Sequence, residues 1–66
     1  MKVFVNNEPK DLNSKRKISQ LVELLGISTS GIALAVNNVV VSKSDWKIFA
    51  LKENDKITII KATQGG

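Results

Sequence analysis

A chain of 66 residues is long enough for one domain, and a domain this small buries only about 60% of the surface that its unfolded chain exposes, which leaves no room for a substrate-sized cleft. Because the sequence has no cysteine and no histidine, it excludes disulfides, thiolate or imidazole catalysis and the usual zinc ligands, so we expect neither a metal site nor a catalytic residue. The net charge of +4 raises the question of nucleic-acid binding, but the densest basic run, Lys15 to Lys17, is only three residues long, and a solvated loop is the simpler interpretation.

The first elements predicted along the chain are two strands joined as a hairpin. The opening segment MKVFVNN alternates, which places Val3 and Val5 on one face of a strand and Phe4 on the other. Asn6 and Asn7 tolerate the positive backbone dihedral φ of a tight reversal. The segment EPKDL then returns as a short second strand, with its proline marking a sheet edge.

One helix follows. Its start is ambiguous, because Ser14 and Ser19 are both plausible N-caps whereas Lys17 is a poor one. Gly26 directly follows the last apolar residue of the helical pattern, so it predicts a left-handed residue that ends the helix. The apolar spacing i, i+3, i+4 and i+7 predicts a buried helix face made of Ile18, Leu21, Val22 and Leu25.

The rest of the chain predicts a second hairpin, an irregular turn and a last strand. The segment IALAVNNVVV indicates two short strands about a reversal at Asn37 and Asn38. The segment SKSDW predicts a short irregular or helical turn around Trp46, and KITIIK is a last strand rich in β-branched residues. Trp46 could contact a partner, but in a domain with few aromatic residues sealing an edge of the core is the favoured interpretation.

This order of elements predicts an α+β fold of the β-grasp type, in which a mixed sheet of four to five strands packs on one main helix within residues 1–60. One helix covers only one face of a sheet. Apolar residues on the other face, chiefly Phe4 and Ile60, therefore lie at the margins of the domain or meet a partner.

No targeting or membrane segment is predicted. Met1 leads into an alternation of apolar and polar residues rather than a basic region followed by a long apolar run. We therefore expect a cytoplasmic protein with neither a membrane nor a nucleic acid as its partner.

Residues 61–66, KATQGG, contain nothing that must be buried, and we expect them to form a flexible tail. Six extended residues reach roughly 20 Å, enough to carry a terminal carboxylate into the active site of another protein. Gly65 and Gly66 lack Cβ atoms and suit a narrow channel. A pair of terminal glycines also arises by chance roughly once in 200 chains, so a frayed end without function is the alternative.

The whole sequence resembles the ThiS family, the ubiquitin-like sulfur carrier proteins of thiamin thiazole biosynthesis. The resemblance rests on VFVNN, LVELL, GIALAVNNVVV, SKSDW, NDKITII and the terminal GG, in this order and spacing. Two positions depart from the family pattern: Lys17 stands where many relatives offer a better helix cap, and Asn54 occupies a turn position often filled by glycine. Asparagine tolerates the left-handed conformation that such a turn requires.

The resemblance implies a carrier rather than an enzyme. A ubiquitin-activating-like adenylyltransferase would use ATP and magnesium to adenylate Gly66, and sulfur derived from cysteine would convert the terminus to a thiocarboxylate. Thiazole synthase would then take the sulfur, while the carrier itself binds no cofactor. Gly66 is thus the attachment point, with tail recognition expected at Gly65, Gln64 and Thr63 and partner docking at Phe4, Ile60 and Lys61.

Other functions are compatible with the same pattern. The small subunit of molybdopterin synthase resembles this chain in using a diglycine thiocarboxylate but is usually longer, and a ubiquitin-like modifier would form an isopeptide bond to lysine. From a different class, a basic RNA-binding β-grasp module would carry its terminal glycines incidentally, and its affinity would fall steeply with salt. For Lys61, a role in solubility is favoured over electrostatic steering of the tail.

Overall fold

Backbone pairing joins the strands into one mixed sheet. The computed structural model describes residues 1–61. Within them lie β1 (Lys2–Val5), β2 (Glu8–Asp11), α1 (Ile18–Leu25), β3 (Ile32–Val36), β4 (Val39–Val41), a 3₁₀ helix (Lys43–Asp45) and β5 (Lys56–Lys61). The strand order is β2-β1-β5-β3-β4. The central strand β5 is parallel to β1, and the other neighbouring strands are antiparallel. This confirms the predicted β-grasp fold with five strands.

Both hairpins turn at the asparagine pairs that the sequence indicates. Asn6 and Asn7 have φ of 49° and 72°, and Asn37 and Asn38 have φ of 51° and 72°. Positive φ at both central residues is the geometry of a two-residue hairpin turn whose twist matches that of the strands. Asn54 also has a positive φ, 68°, so asparagine does at this turn what glycine would do.

The N-cap of the helix is a residue whose type is unfavourable at that position. Lys17 is the N-cap, and neither Ser14 nor Ser19 takes that position. Gln20 compensates: its Oε1 atom accepts hydrogen bonds from the backbone N–H groups of Lys17 at 3.0 Å and Arg16 at 3.1 Å. The prediction of a serine cap was wrong because this glutamine reaches back to the chain before the helix, as in the second half of a capping box.

The helix ends as predicted. Gly26 is left-handed at φ 66°, and its N–H group donates to the carbonyls of Val22 and Glu23. These bonds satisfy carbonyl groups that would otherwise lack a partner at the end of the helix.

The core lies between α1 and one face of the sheet, here called the inner face. Trp46 belongs to this core, since it is 5% exposed and its Nε1–H donates to the carbonyl of Val41 at 3.0 Å. Among residues 1–61, α1 and the 3₁₀ helix are both too short to span a bilayer. The fully buried side chains are Val3, Leu12, Ile18, Leu21, Leu34 and Ile57.

The last strand extends slightly further than the predicted domain. Lys61 pairs with Ile32 of β3, so β5 includes a residue that the sequence assigned to the tail. Since the backbone of an exposed lysine pairs as well as any other, loss of the apolar pattern after Ile60 did not mark the end of the strand.

Candidate functional site at the root of the tail

The structure describes the strand from which the tail departs. The predicted attachment and recognition residues of the tail, Thr63, Gln64, Gly65 and Gly66, lie outside the described residues. The last three residues of β5, residues 59–61, are called the tail root below. Their contacts decide where the following segment leaves the domain.

The tail root lies between β1 and β3, but the two strands differ in how far they pair with it. On one side β3 pairs with all of it, since Leu34, Ala33 and Ile32 face residues 59, 60 and 61 in turn. On the other side, pairing between β1 and β5 consists of Phe4 with Lys56 and Val5 with Ile57. The parallel ladder thus ends before the tail root begins.

Where that ladder ends, the side chain of Asn6 forms the next hydrogen bond to β5. The backbone N–H of Asn6 donates to the carbonyl of Ile57 at 2.9 Å, and the Oδ1 atom of Asn6 accepts the N–H of Ile59 at 2.9 Å. The side-chain oxygen therefore stands where a further carbonyl of β1 would stand. Sequence reasoning assigned Asn6 only a turn conformation and missed this bond.

The equivalent asparagine of the second hairpin holds the other end of β5. Asn37 donates its backbone N–H to the carbonyl of Lys56 at 2.7 Å, while its Oδ1 atom accepts the N–H of Lys56 at 3.0 Å. Its Nδ2 atom donates to Asp55 at 3.0 Å. A faint signal was present in the sequence, because each turn has asparagine at its first position, where glycine would satisfy the dihedral angle without supplying an acceptor.

Two of the predicted docking residues, Phe4 and Ile60, share a face but lie apart. Alternation along β1 and β5 puts Phe4 and Ile60 on the face opposite the helix, here called the outer face, with Phe4 half-buried and Ile60 50% exposed. Phe4 lies opposite Lys56, four residues before Ile60, a separation of about 13 Å along the strand. Ile60 therefore belongs to the tail root, whereas Phe4 lies at a separate place on the same face.

Lysines surround the aromatic end of the outer face. The Nζ atom of Lys2 lies 5.2 Å from the centroid of the Phe4 ring, and Lys56 is the register partner of Phe4. Lys61 is exposed at the other end of β5, but it alternates with Ile60 and so lies on the helix side of the sheet. The outer face thus combines apolar side chains with positive charge, which favours a partner whose surface is apolar with an acidic rim.

One carboxylate in the described part of the chain is paired with a positive charge. The ion pair found there joins the N-terminal amine to Asp11 at 3.6 Å, well away from the tail root in the register. The backbone N–H of Asn13 and that amine hold the pKa of the Asp11 carboxyl below its usual value. Residues 1–61 contain no group of three or more metal-binding side chains. The tail root, in contrast, offers the end of a strand that pairs with β3 and is not paired with β1.

Comparison with known proteins finds relatives over the full chain. The model of the ThiS family matches residues 3–66. The sulfur carrier protein ThiS of Escherichia coli (strain K12) is 24% identical over 66 residues, which is 100% of each chain.

Solved structures share the fold. A crystal structure of the thiamine biosynthesis protein ThiS from Geobacter metallireducens has a TM-score of 0.83 at 17% identity and covers 100% of both chains. An NMR solution structure of a thiamine biosynthesis protein from the same organism has a TM-score of 0.75 at 17% identity, covering 100% of this chain and 88% of that one. At this level of identity the two structures support the architecture alone.

Proposed function

The chain belongs to the ThiS family, and on this premise we propose that it is a sulfur carrier of thiamin biosynthesis whose reactive group is the carboxylate of Gly66. The observation that carries the proposal is the extent of the family match, which runs through the whole domain and on to the two final glycines. The curated relative of the same length, a sulfur carrier protein, supports it.

The proposed chemistry takes place at the terminus and not on a side chain. A carboxylate is a poor electrophile, so one of its oxygens first attacks the α-phosphorus of ATP, pyrophosphate leaves, and Gly66 becomes a mixed anhydride with AMP. Sulfur at the oxidation level of sulfide, derived from cysteine, then adds to the activated carbonyl carbon, and AMP departs as the C–O bond of the anhydride breaks. The new C–S bond leaves Gly66 as a thiocarboxylate, with no oxidation or reduction at the carrier.

Partner enzymes supply the catalysis in this proposal. The activating enzyme, similar to ubiquitin-activating enzymes, provides the site for ATP and magnesium. Thiazole synthase accepts the sulfur, and the carrier returns with its carboxylate. This division suits chemistry that takes place on the terminal carboxylate rather than on a side chain of the domain.

The carrier's own residues present and position the tail. Because Lys61 is the exposed last residue of β5, the chain beyond it starts from the surface of the domain. We assign tail recognition to Thr63, Gln64 and Gly65. Ile60 and Lys61 would contact the activating enzyme beside the tail root, and Phe4 would form a separate contact about 13 Å away on the outer face.

The test is intact-protein mass spectrometry after incubation with ATP, a sulfur source and the activating enzyme of the same organism. We expect a gain of about 16 Da, one oxygen exchanged for sulfur, in the full chain and none in a chain lacking Gly65 and Gly66. Circular dichroism should show that the shortened chain is folded, because the core lies within residues 1–61.

Two outcomes would contradict the proposal. An unchanged mass with an activating enzyme that is active on a known carrier would leave a basic β-grasp binding module. Loading followed by isopeptide linkage to lysine, or sulfur transfer to a molybdopterin precursor instead of thiazole synthase, would identify one of the alternative carriers or modifiers.

A further inference from the structure

We propose that Asn6 is a positioning residue that fixes the direction in which the tail leaves the sheet. This inference rests on the proposed function, since it concerns how the tail is delivered to the activating enzyme. It starts from the bond between Asn6 Oδ1 and the N–H of Ile59, which joins residues 53 positions apart.

Asn6 adds one hydrogen bond to β5 beyond the point where the backbone pairing of β1 ends. The chain reverses at Asn6 and Asn7, so no backbone group of β1 can reach the tail root. The Asn6 side chain supplies one acceptor there, two residues before Lys61. Beyond that bond, the β1 side of β5 carries no β1 pairing within the described residues. A segment of the activating enzyme could therefore align along this side of the tail root without displacing a strand.

The Ile59 bond also decides how far the end of β5 can move. Residues 59–61 pair with β3 on one side only. A strand held along one edge twists and frays about that edge, whereas a second hydrogen bond on the opposite edge fixes its plane. By holding Ile59 from the β1 side, Asn6 restricts the orientations from which the tail starts, and the enzyme then selects from fewer conformations.

The identity of the residue separates this role from turn formation. Asn6 has φ of 49°, which glycine adopts freely, so Asn6→Gly preserves the turn and removes only the acceptor. Asn6→Asp keeps both an acceptor oxygen and the tolerance for this conformation. Asn37→Gly is a matched control, because it removes the equivalent bond at Lys56, at the far end of β5 from the tail.

The experiment combines amide hydrogen exchange with loading kinetics on the full chain. In Asn6→Gly we expect exchange at Ile59 to accelerate at least about fivefold, the ratio equivalent to one ordinary hydrogen bond. The KM for the activating enzyme should rise by up to about the same factor, with kcat unchanged, because the competent orientation of the tail is less populated. Asn6→Asp should restore both values to within about twofold.

The controls decide between positioning and general loss of stability. Asn37→Gly should accelerate exchange at Lys56 and leave the KM at the wild-type value, and Asn7→Gly should alter neither. The proposal is overturned if Asn6→Gly loads with the wild-type KM, or if Asn37→Gly raises the KM equally.

Failure of the proposed function gives a different result. The wild-type chain itself would then not be loaded by an active enzyme. In that case slow exchange at Ile59 that depends on Asn6 would still support its hold on the tail root, and exchange indifferent to Asn6 would refute it.

Discussion

Replacing Trp46 with phenylalanine should cost about 2 kcal/mol of folding free energy and leave sulfur loading intact. The ring is 5% exposed, and its Nε1–H donates to Val41 at 3.0 Å. Loss of that hydrogen bond costs about 1 kcal/mol. The smaller ring uncovers roughly 40 Å² of apolar contact, which is about a further 1 kcal/mol.

This cost is large relative to the stability of so small a domain. At typical values per residue, 66 residues correspond to about 3 to 10 kcal/mol of unfolding free energy. With a denaturant slope of about 1 kcal/mol per molar urea, the unfolding midpoint should fall by about 2 M. Far-ultraviolet circular dichroism is the suitable probe, because the variant has no tryptophan left to fluoresce.

Ile48→Thr is the control for this prediction. Ile48 lies two residues further along the same turn but is 70% exposed, so its replacement should change stability by less than about 0.5 kcal/mol. The reasoning is refuted if Trp46→Phe leaves the midpoint within about 0.5 M of the wild type. Normal stability together with lost loading would mean that Trp46 is instead a contact for the activating enzyme.

Three other changes test separate features of the structure. The pKa of Asp11 is held below its ordinary 3.8 by the backbone N–H of Asn13 and by the N-terminal amine, so its stabilisation is present above that pH and is lost as the pH falls through the lower folded value. Asp11→Asn should accordingly flatten the fall in stability below about pH 4 in urea titrations, and an unaltered slope would contradict this. Gly26→Ala should destabilise the domain by about 1 kcal/mol from backbone conformation alone, because nothing lies within 4 Å of the added Cβ; Gly26→Asn should cost measurably less in the same melts. Ile60→Thr should raise the KM for the activating enzyme about fivefold without loss of stability, whereas the equally conservative Ile48→Thr should not; equal KM values in the two variants would remove Ile60 from the docking surface.

Much of the fold follows from local patterns. The alternation around Val3 and Val5 and the helical spacing of Ile18, Leu21 and Val22 each identify a buried face without knowledge of the rest of the chain, although Leu25, predicted on the same helix face, is only partly buried. The asparagine pairs mark both hairpins, since few residues other than glycine adopt positive φ readily. These features depend on neighbours a few residues away, and the sequence was sufficient for them.

Local patterns were insufficient where a backbone group finds a hydrogen-bonding partner that its own segment does not indicate. The helix was expected to begin at a serine, but Gln20 provides the acceptor for Lys17 from inside the helix. The strand was expected to end with its apolar residues, but backbone pairing with Ile32 extends it to Lys61. In both cases the backbone group was satisfied by a partner that residue-by-residue preferences do not consider.

For the candidate site, the sequence determined which chemistry is available and the tertiary structure decided the geometry. The lack of cysteine and histidine, the family resemblance and the terminal Gly65 and Gly66 are all properties of the sequence, and they direct attention to the tail. The separation of Phe4 from Ile60 and the bond from Asn6 to Ile59 exist only because β5 lies between β1 and β3 in one register. Register is a property of pairs of strands distant in the chain, and a shift of one residue would move every one of these contacts to a different partner.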